Sequence, residues 1–244
     1  MSIKLTIVVP AYHESDRIEQ SLKDLSVAIK KYLDHKTTEV IVVSADDADP
    51  TAKIAEANAK LFEHFHVIRP GARVGKGRDV RLGILAGKGD YRMFMDADMA
   101  TPLHHLKQVA EFIDNDGQIG IGNRKLGVIH TGVRKYISEL GNIAVQTLLV
   151  RGVEDSQCGF KVFRADIAED LFNHQTIMNW GFDMELLVIA RSRKYEITKL
   201  DIPDWHDPKA DEEGFTGDSN LKFIISTGIE MLKITLNRTL RRYK

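Results

Sequence analysis

The sequence predicts an α/β fold with a mostly parallel, doubly wound sheet, on three observations. Short β-rich apolar runs alternate with segments whose apolar residues recur at helical spacing. The run Met93-Phe94-Met95 is too short for a helix and lies between Gly89 and Pro102, so it reads as a strand buried within a parallel sheet. Repeats, low-complexity stretches and Pro/Ser-rich linkers are all missing from the sequence, so nothing marks a domain boundary.

In chain order, Ile3 to Val9 is a strand stopped by Pro10, and Ala11 to Glu14 form its turn. Ser15 or Asp16 is expected to cap a helix running to Tyr32, with Ile18, Leu22, Leu25 and Ile29 on one face. Glu39 to Val43 is a second strand, ending in Ser44-Ala-Asp-Asp-Ala-Asp-Pro50. A helix starting near Thr51 carries Ile54, Ala57 and Leu61, and His66 to Arg69 is a third strand closed by Pro70 and Gly71. A glycine-rich basic turn from Gly75 to Gly83 runs into a helix, and the Met93 strand follows. A helix with Leu103, Leu106, Val109 and Phe112 leads to a strand over Gln118 to Gly122.

The second half reads differently. Val133 to Val150 has the spacing of an amphipathic helix, and Asp155 to Phe163 a turn entering a strand. Trp180 opens a helix to about Arg193, and Ile197 to Ile202 is a strand. His206 to Asn220, with Asp207, Asp211, Glu212 and Glu213, is expected to be a mobile loop. Leu221 to Lys244 is an amphipathic helix with Lys233, Arg238, Arg241, Arg242 and Lys244 gathered toward its end.

Composition bounds the function. At 244 residues, 43% apolar and 28% charged, the chain is that of a water-soluble globular domain with a sizeable core. A formal net charge of -1 lacks the basic excess of a nucleic-acid binder, so no nucleic-acid partner is expected. Cys158 is the single cysteine, which excludes an internal disulfide and a cysteine-based zinc site. No signal-peptide layout and no apolar run near the ~20 residues that span a bilayer are present. The expectation is a cytoplasmic protein, soluble or peripheral on the cytoplasmic face of a membrane.

Chemistry concentrates where Met93-Phe94-Met95 ends in Asp96 and Asp98, because open α/β sheets place ligand crevices at the carboxyl ends of their strands. An acid-X-acid pair there suits a hard divalent cation, Mg²⁺ or Mn²⁺, that also grips a diphosphate. The plainer alternative is that Asp98 caps the helix starting near Thr101. Lys76, between Gly75 and Gly77 at a helix start, suits phosphate contact, with a solvated surface turn as the alternative. Tyr12 and Glu14 would border the same crevice, Tyr12 suiting a nucleobase, with plain packing as the alternative, and Glu14 a hydrogen bond from ribose or base. His206 is a candidate third metal ligand or a plain loop residue, and the pairs His64/His66 and His104/His105 read as surface features.

Five segments occur in order: Val8-Val-Pro-Ala-Tyr-His-Glu14, Gly75-Lys-Gly-Arg-Asp-Val-Arg-Leu-Gly83, Asp96-Ala-Asp-Met-Ala-Thr-Pro102, Asp155-Ser-Gln-Cys-Gly-Phe-Lys161 and Trp180-Gly-Phe-Asp-Met-Glu-Leu-Leu187. Together they resemble family 2 glycosyltransferases of the GT-A fold, most of all the dolichyl- or polyprenyl-phosphate glucosyltransferases, with the mannosyltransferases as close relatives. The resemblance implies one domain over residues 1–244, with 1–124 as the nucleotide-sugar-binding half, 125–220 as the acceptor-side half and 221–244 as an amphipathic basic helix. It implies inverting hexosyl transfer from a nucleoside diphosphate sugar, UDP-glucose favoured, to a polyprenyl phosphate. A GDP-mannose donor, a soluble acceptor and a catalytically silent sugar-nucleotide-binding module are the alternatives.

Position by position, Pro10, Ala11, Tyr12 and Glu14 would border the nucleoside, Lys76 the donor phosphates, and Asp96 and Asp98 the metal-diphosphate. Asp155 matches a position proposed as catalytic base in relatives, with Gln157 as neighbour of metal or sugar. A phosphate acceptor is already ionised, so orientation and charge screening matter more than proton removal. Asp183 and Glu185 read instead as helix braces. Ser44 stands where the family has an acid for base and ribose, leaving a shifted Asp46 or another mode of base recognition. Arg134 and Lys135 are candidates for the acceptor phosphate, the C-terminal helix for an anionic membrane surface, and a homodimer stays open.

Overall fold

The structure, a computed structural model, describes residues 2–124, 155–206 and 217–243. The expected helix over 133–150, the candidates Arg134 and Lys135, and the acids at 207–213 lie outside the described residues.

Strand β1 (Leu5–Pro10) shows why the apolar runs look continuous. Leu5, Ile7 and Val9 point into one core, and Val8 into a second on the opposite face. β2 (Thr38–Val43) divides the same way, Val40 and Val42 against Ile41 and Val43. A strand covered on both faces has no polar face to display, so the alternation of side chains vanishes from the sequence.

β3 (His64–Ile68), β4 (Tyr91–Met95) and β5 (Ile119–Arg124) follow, then β6 (Phe160–Arg164) and β7 (Ile197–Ile202). The described strands form one seven-stranded sheet in the order β3-β2-β1-β4-β6-β5-β7. β6 alone runs antiparallel, between β4 and β5, and β7 returns parallel to β5. One face carries α1 (Ile18–Tyr32) and α4 (Leu106–Asp114), whose Leu22, Leu25, Val109 and Phe112 join the core of Leu5 and Ile7. The other carries α3 (Lys76–Ala86), α5 (Ala165–His174) and α6 (Phe182–Arg193) against Val8, Phe94 and Phe163. The short α2 (Thr51–Ala57) flanks β3, and α7 (Gly217–Thr239) closes the described chain.

Several expectations shift. α1 starts after Arg17 with no side-chain cap, because Arg17 and Ile18 donate their backbone N–H groups to the Glu14 carbonyl, which makes the turn without Ser15 or Asp16. Leu61 falls in a separate 3-10 turn rather than in α2. α5 is a helix the sequence reading passes over, and residues 217–220, expected in a loop, open α7. α7 turns Ile229, Leu232 and Leu236 to solvent, as does Leu240 just beyond it, while Ile234 and Asn237 are buried. His105 is buried rather than superficial.

Candidate active site

The crevice is built from the segments that leave β1, β2 and β4 at their carboxyl ends. Each carries one non-glycine residue in the left-handed region: His13 (φ 55°), Asp46 (φ 76°) and Met99 (φ 55°). Such conformations are costly for residues with a Cβ and gather where a loop must aim side chains.

At the end of β1, Pro10 closes the strand and Ala11 donates its N–H to the Val43 carbonyl at 2.8 Å, locking that loop to β2. Tyr12 stacks on His13 with ring centroids 4.2 Å apart, and the Arg73 guanidinium lies 4.1 Å over the Tyr12 ring. His13 Nε2 meets Asp46 Oδ2 at 2.9 Å. Asp46 Oδ1 accepts from the Ala48 N–H, and these bonds, His13 foremost, hold its carboxyl below the usual carboxylate range. Glu14 pairs with Arg17 at 2.8 Å. Ser44 is buried, and its Oγ has no hydrogen-bond partner among the described residues. Asp46, two positions on, is the acid that bonds to the loop after β1, through His13.

At the end of β4, the Lys76 ammonium is ion-paired with Asp96. Burial works against that charge, but Asp96 and Asp183 outweigh it and hold Lys76 above the ordinary lysine range. Asp98 Oδ1 accepts from the Ala100 N–H at 3.1 Å, a local turn rather than the expected helix cap: the 3-10 turn at Leu103–His105 and α4 both start without a side-chain cap. Burial, then the Asp96 charge, raises the Asp98 carboxyl above the usual range. The Asp96 carboxylate lies directly over Gly159, where any Cβ would collide with it. Gly75 and Gly77 have a use the sequence did not suggest: they let Met178, Asn179 and Phe182 press against the start of α3.

Asp155 is buried and clasped by Arg124, Nε to Oδ2 at 2.5 Å and the terminal nitrogen to Oδ1 at 2.8 Å. Trp205 covers that guanidinium at 4.7 Å. Gln157, exposed, sits in the turn between Asp155 and β6.

Four groups escaped sequence reading. Lys161 is fully buried in β6 and donates to Asp183 at 2.5 Å and to the Cys158 carbonyl at 2.6 Å. A lysine inside Phe160-Lys-Val-Phe163 was the available signal, since a cation on a core-facing position demands a buried acid. Trp180, half exposed, has Lys76 Nζ 5.3 Å from its ring centroid. Arg73 over Tyr12 and Arg124 on Asp155 had no local signal.

A mostly parallel α/β sheet with paired acids and a lysine at the end of β4 has the architecture of a GT-A glycosyltransferase. The sequence matches the Glycosyl transferase family 2 model over residues 6–172, and the chain belongs to that family.

Among its relatives, the dolichyl-phosphate beta-glucosyltransferase ALG5C of Trichomonas vaginalis is 30% identical over 246 residues, covering 95% of this chain and 70% of that protein. The dolichyl-phosphate beta-glucosyltransferase of Homo sapiens is 30% identical over 213 residues, covering 81% of this chain and 66% of its own length. Among solved structures, glucosyl-3-phosphoglycerate synthase from Mycobacterium tuberculosis in complex with Mn²⁺, UDP and phosphoglyceric acid superposes with a TM-score of 0.68 at 16% identity, covering 96% of this chain and 78% of that one. Mannosyl-3-phosphoglycerate synthase from Rubrobacter xylanophilus gives 0.68 at 13%, with coverage of 98% and 76%. These likenesses establish the fold.

Proposed function

We propose that the chain transfers glucose from UDP-glucose to a polyprenyl phosphate of the dolichyl type, inverting the anomeric centre. The observation that carries this is the placement of Asp96, Asp98 and Lys76 together at the carboxyl end of β4. The glucosyltransferase relatives support the sugar and the lipid acceptor, and the neighbour crystallised with Mn²⁺ and UDP supports the nucleotide and the metal.

The residues fit Mg²⁺ or Mn²⁺: both acids offer oxygen ligands, and a dication would offset both the burial and, after it, the Asp96 charge that raise the Asp98 carboxyl. Asp96 and Asp98 would hold such a cation, which would supply positive charge to a departing nucleoside diphosphate. Lys76 adds a fixed positive charge at the first turn of α3, where helix N–H groups also favour anions. Pro10, Ala11 and Tyr12 shape the nucleoside pocket, Asp46 supplies the carboxylate that Ser44 lacks, and Glu14 holds Arg17 beside them.

Asp155 is assigned to orientation rather than to proton removal. Both its oxygens hold Arg124, and that ordered guanidinium is offered to the acceptor phosphate, with Arg134 and Lys135 as further candidates. Gln157 lies beside the sugar. Among the described residues no helix is long and apolar enough to cross a membrane. The exposed row Ile229, Leu232, Leu236 and Leu240, flanked by Arg241 and Arg242, suits peripheral contact with an anionic leaflet.

The test is a panel of radiolabelled UDP-glucose and GDP-mannose with polyprenyl phosphate, counting label in the organic phase. Label from UDP-glucose that vanishes with EDTA is expected. Label from GDP-mannose alone, or full transfer without metal, overturns the reading.

A further inference from the structure

We propose that His104, His105 and Asp204 form a second cation site, for a borderline transition ion of the Zn²⁺ class, separate from the Asp96–Asp98 pair. His104 and His105 lie in the 3-10 turn that precedes α4, and Asp204 lies in the turn after β7. The fold brings them together across about a hundred residues of chain: Asp204 Oδ1 is 2.6 Å from His105 Nε2, and Oδ2 is 3.3 Å from His104 Nε2. One donor atom from each falls within 4.8 Å of the others. Ligand atoms around a tetrahedral ion with bonds of about 2.0 Å stand roughly 3.3 Å apart, so only small adjustments close the site.

Burial also suits an ion. The His105 side chain is 5% exposed, whereas those of His104 and Asp204 are 53% and 46% exposed. The site has one anchored wall and one open side, through which an ion enters and on which a water completes the coordination. Two imidazoles and one carboxylate favour Zn²⁺ over Mg²⁺, while the all-oxygen pair at Asp96 and Asp98 has the opposite preference.

Gln108 provides the outer support such a histidine needs. Its Nε2 lies 2.7 Å from His105 Nδ1 and 3.0 Å from the Asp201 carbonyl. With the amide donating to both, His105 keeps its proton on Nε2 and donates it to Asp204, which is the ion-free arrangement. A half-turn of the amide places Oε1 on an Nδ1–H and frees the Nε2 lone pair for the ion, with no net change in protons. The Asp201 backbone carbonyl, fixed in β7, then gives up its bond from Gln108. The consequence reaches the candidate active site, because Trp205, next to Asp204, covers the Arg124 that clasps Asp155.

The competing account is a hydrogen-bonded staple that never takes an ion. Calorimetric titration of Zn²⁺ into tag-free, chelator-stripped full-length chain, in millimolar Mg²⁺, separates the two. One Zn²⁺ per chain is expected. Affinity should fall at least tenfold in His104→Ala and roughly tenfold or more in Gln108→Leu, and stay unchanged in Asp98→Ala and His206→Ala. No saturable uptake, uptake indifferent to His104→Ala, or uptake lost with Asp98→Ala overturns the proposal. Circular dichroism of each variant confirms that a lost signal is not a lost fold. Failure here leaves the glucosyl-transfer reading untouched, since that rests on the Asp96–Asp98 pair.

Discussion

Replacing Gly159 by alanine tests how tightly the end of β4 is positioned. The added Cβ would stand 2.7 Å from Asp96 Oδ1 and closer still to Cγ and Oδ2. Ordinary contact needs about 3.4 Å, so the carboxylate must retreat by about 1.5 Å at Oδ2, its nearest atom, carrying its ion pair with Lys76 along. The backbone at Gly159 lies outside the left-handed region, so alanine is not strained there. Its smaller unfolded-state entropy even favours folding by about 0.4–1 kcal/mol. The substitution should therefore separate function from stability. A displacement of ~1 Å in a positioning group costs about a hundredfold in rate, or about 2.7 kcal/mol. Steady-state kcat/KM for UDP-glucose should fall by about that factor, while the thermal midpoint stays within a few degrees of wild type. Wild-type kcat/KM in a folded Gly159→Ala would refute the claim that the Asp96 carboxylate must sit where the structure has it.

Lys161→Met leaves Asp183 buried without its closest cation and should cost about 3–5 kcal/mol in urea melts, with Lys161→Met/Asp183→Leu recovering most of it. Equal stability of the single variant and wild type would contradict the pairing. Burial, then the Asp155 charge, pushes the Cys158 thiol up to about 12. At pH 8 roughly one thiol in ten thousand is ionised, so Ellman's reagent should react only after unfolding, and rapid native labelling would disprove the burial. The Asp98 carboxyl is raised in the fold, so it contributes stability at low pH that is lost as pH rises through its folded value. Metal-free Asp98→Asn should melt above wild type at pH 7 and converge with it below about pH 4, while losing transfer. A gap that widens on acidification would reverse the assigned sign.

The parallel part of the sheet was legible because strands buried on both faces appear as unbroken apolar runs. β6 was legible as a strand, but not as the antiparallel member between β4 and β5, because partner and direction are not written into a strand's own pattern. α5 has Ile167, Ala168, Leu171 and Phe172 at helical spacing, yet it follows β6 directly, with no turn residue and no side-chain cap to announce it. Asp96 and Asp98 stood out because a strand end exposes them together. The Arg124–Asp155 clasp and the Lys161–Asp183 pair join residues 31 and 22 apart, which only the packed sheet brings into contact. His105 looked superficial because nothing local reveals that the turn after β7 covers it.

The most direct test of the central claim is anomalous scattering from Mn²⁺ in crystals grown with UDP. A peak at about 2.1 Å from carboxylate oxygens of Asp96 and Asp98, with the diphosphate beside it and Lys76 turned toward the phosphates, is the predicted result. A diphosphate bound away from those two acids, or Mn²⁺ density confined to other residues, would contradict the account.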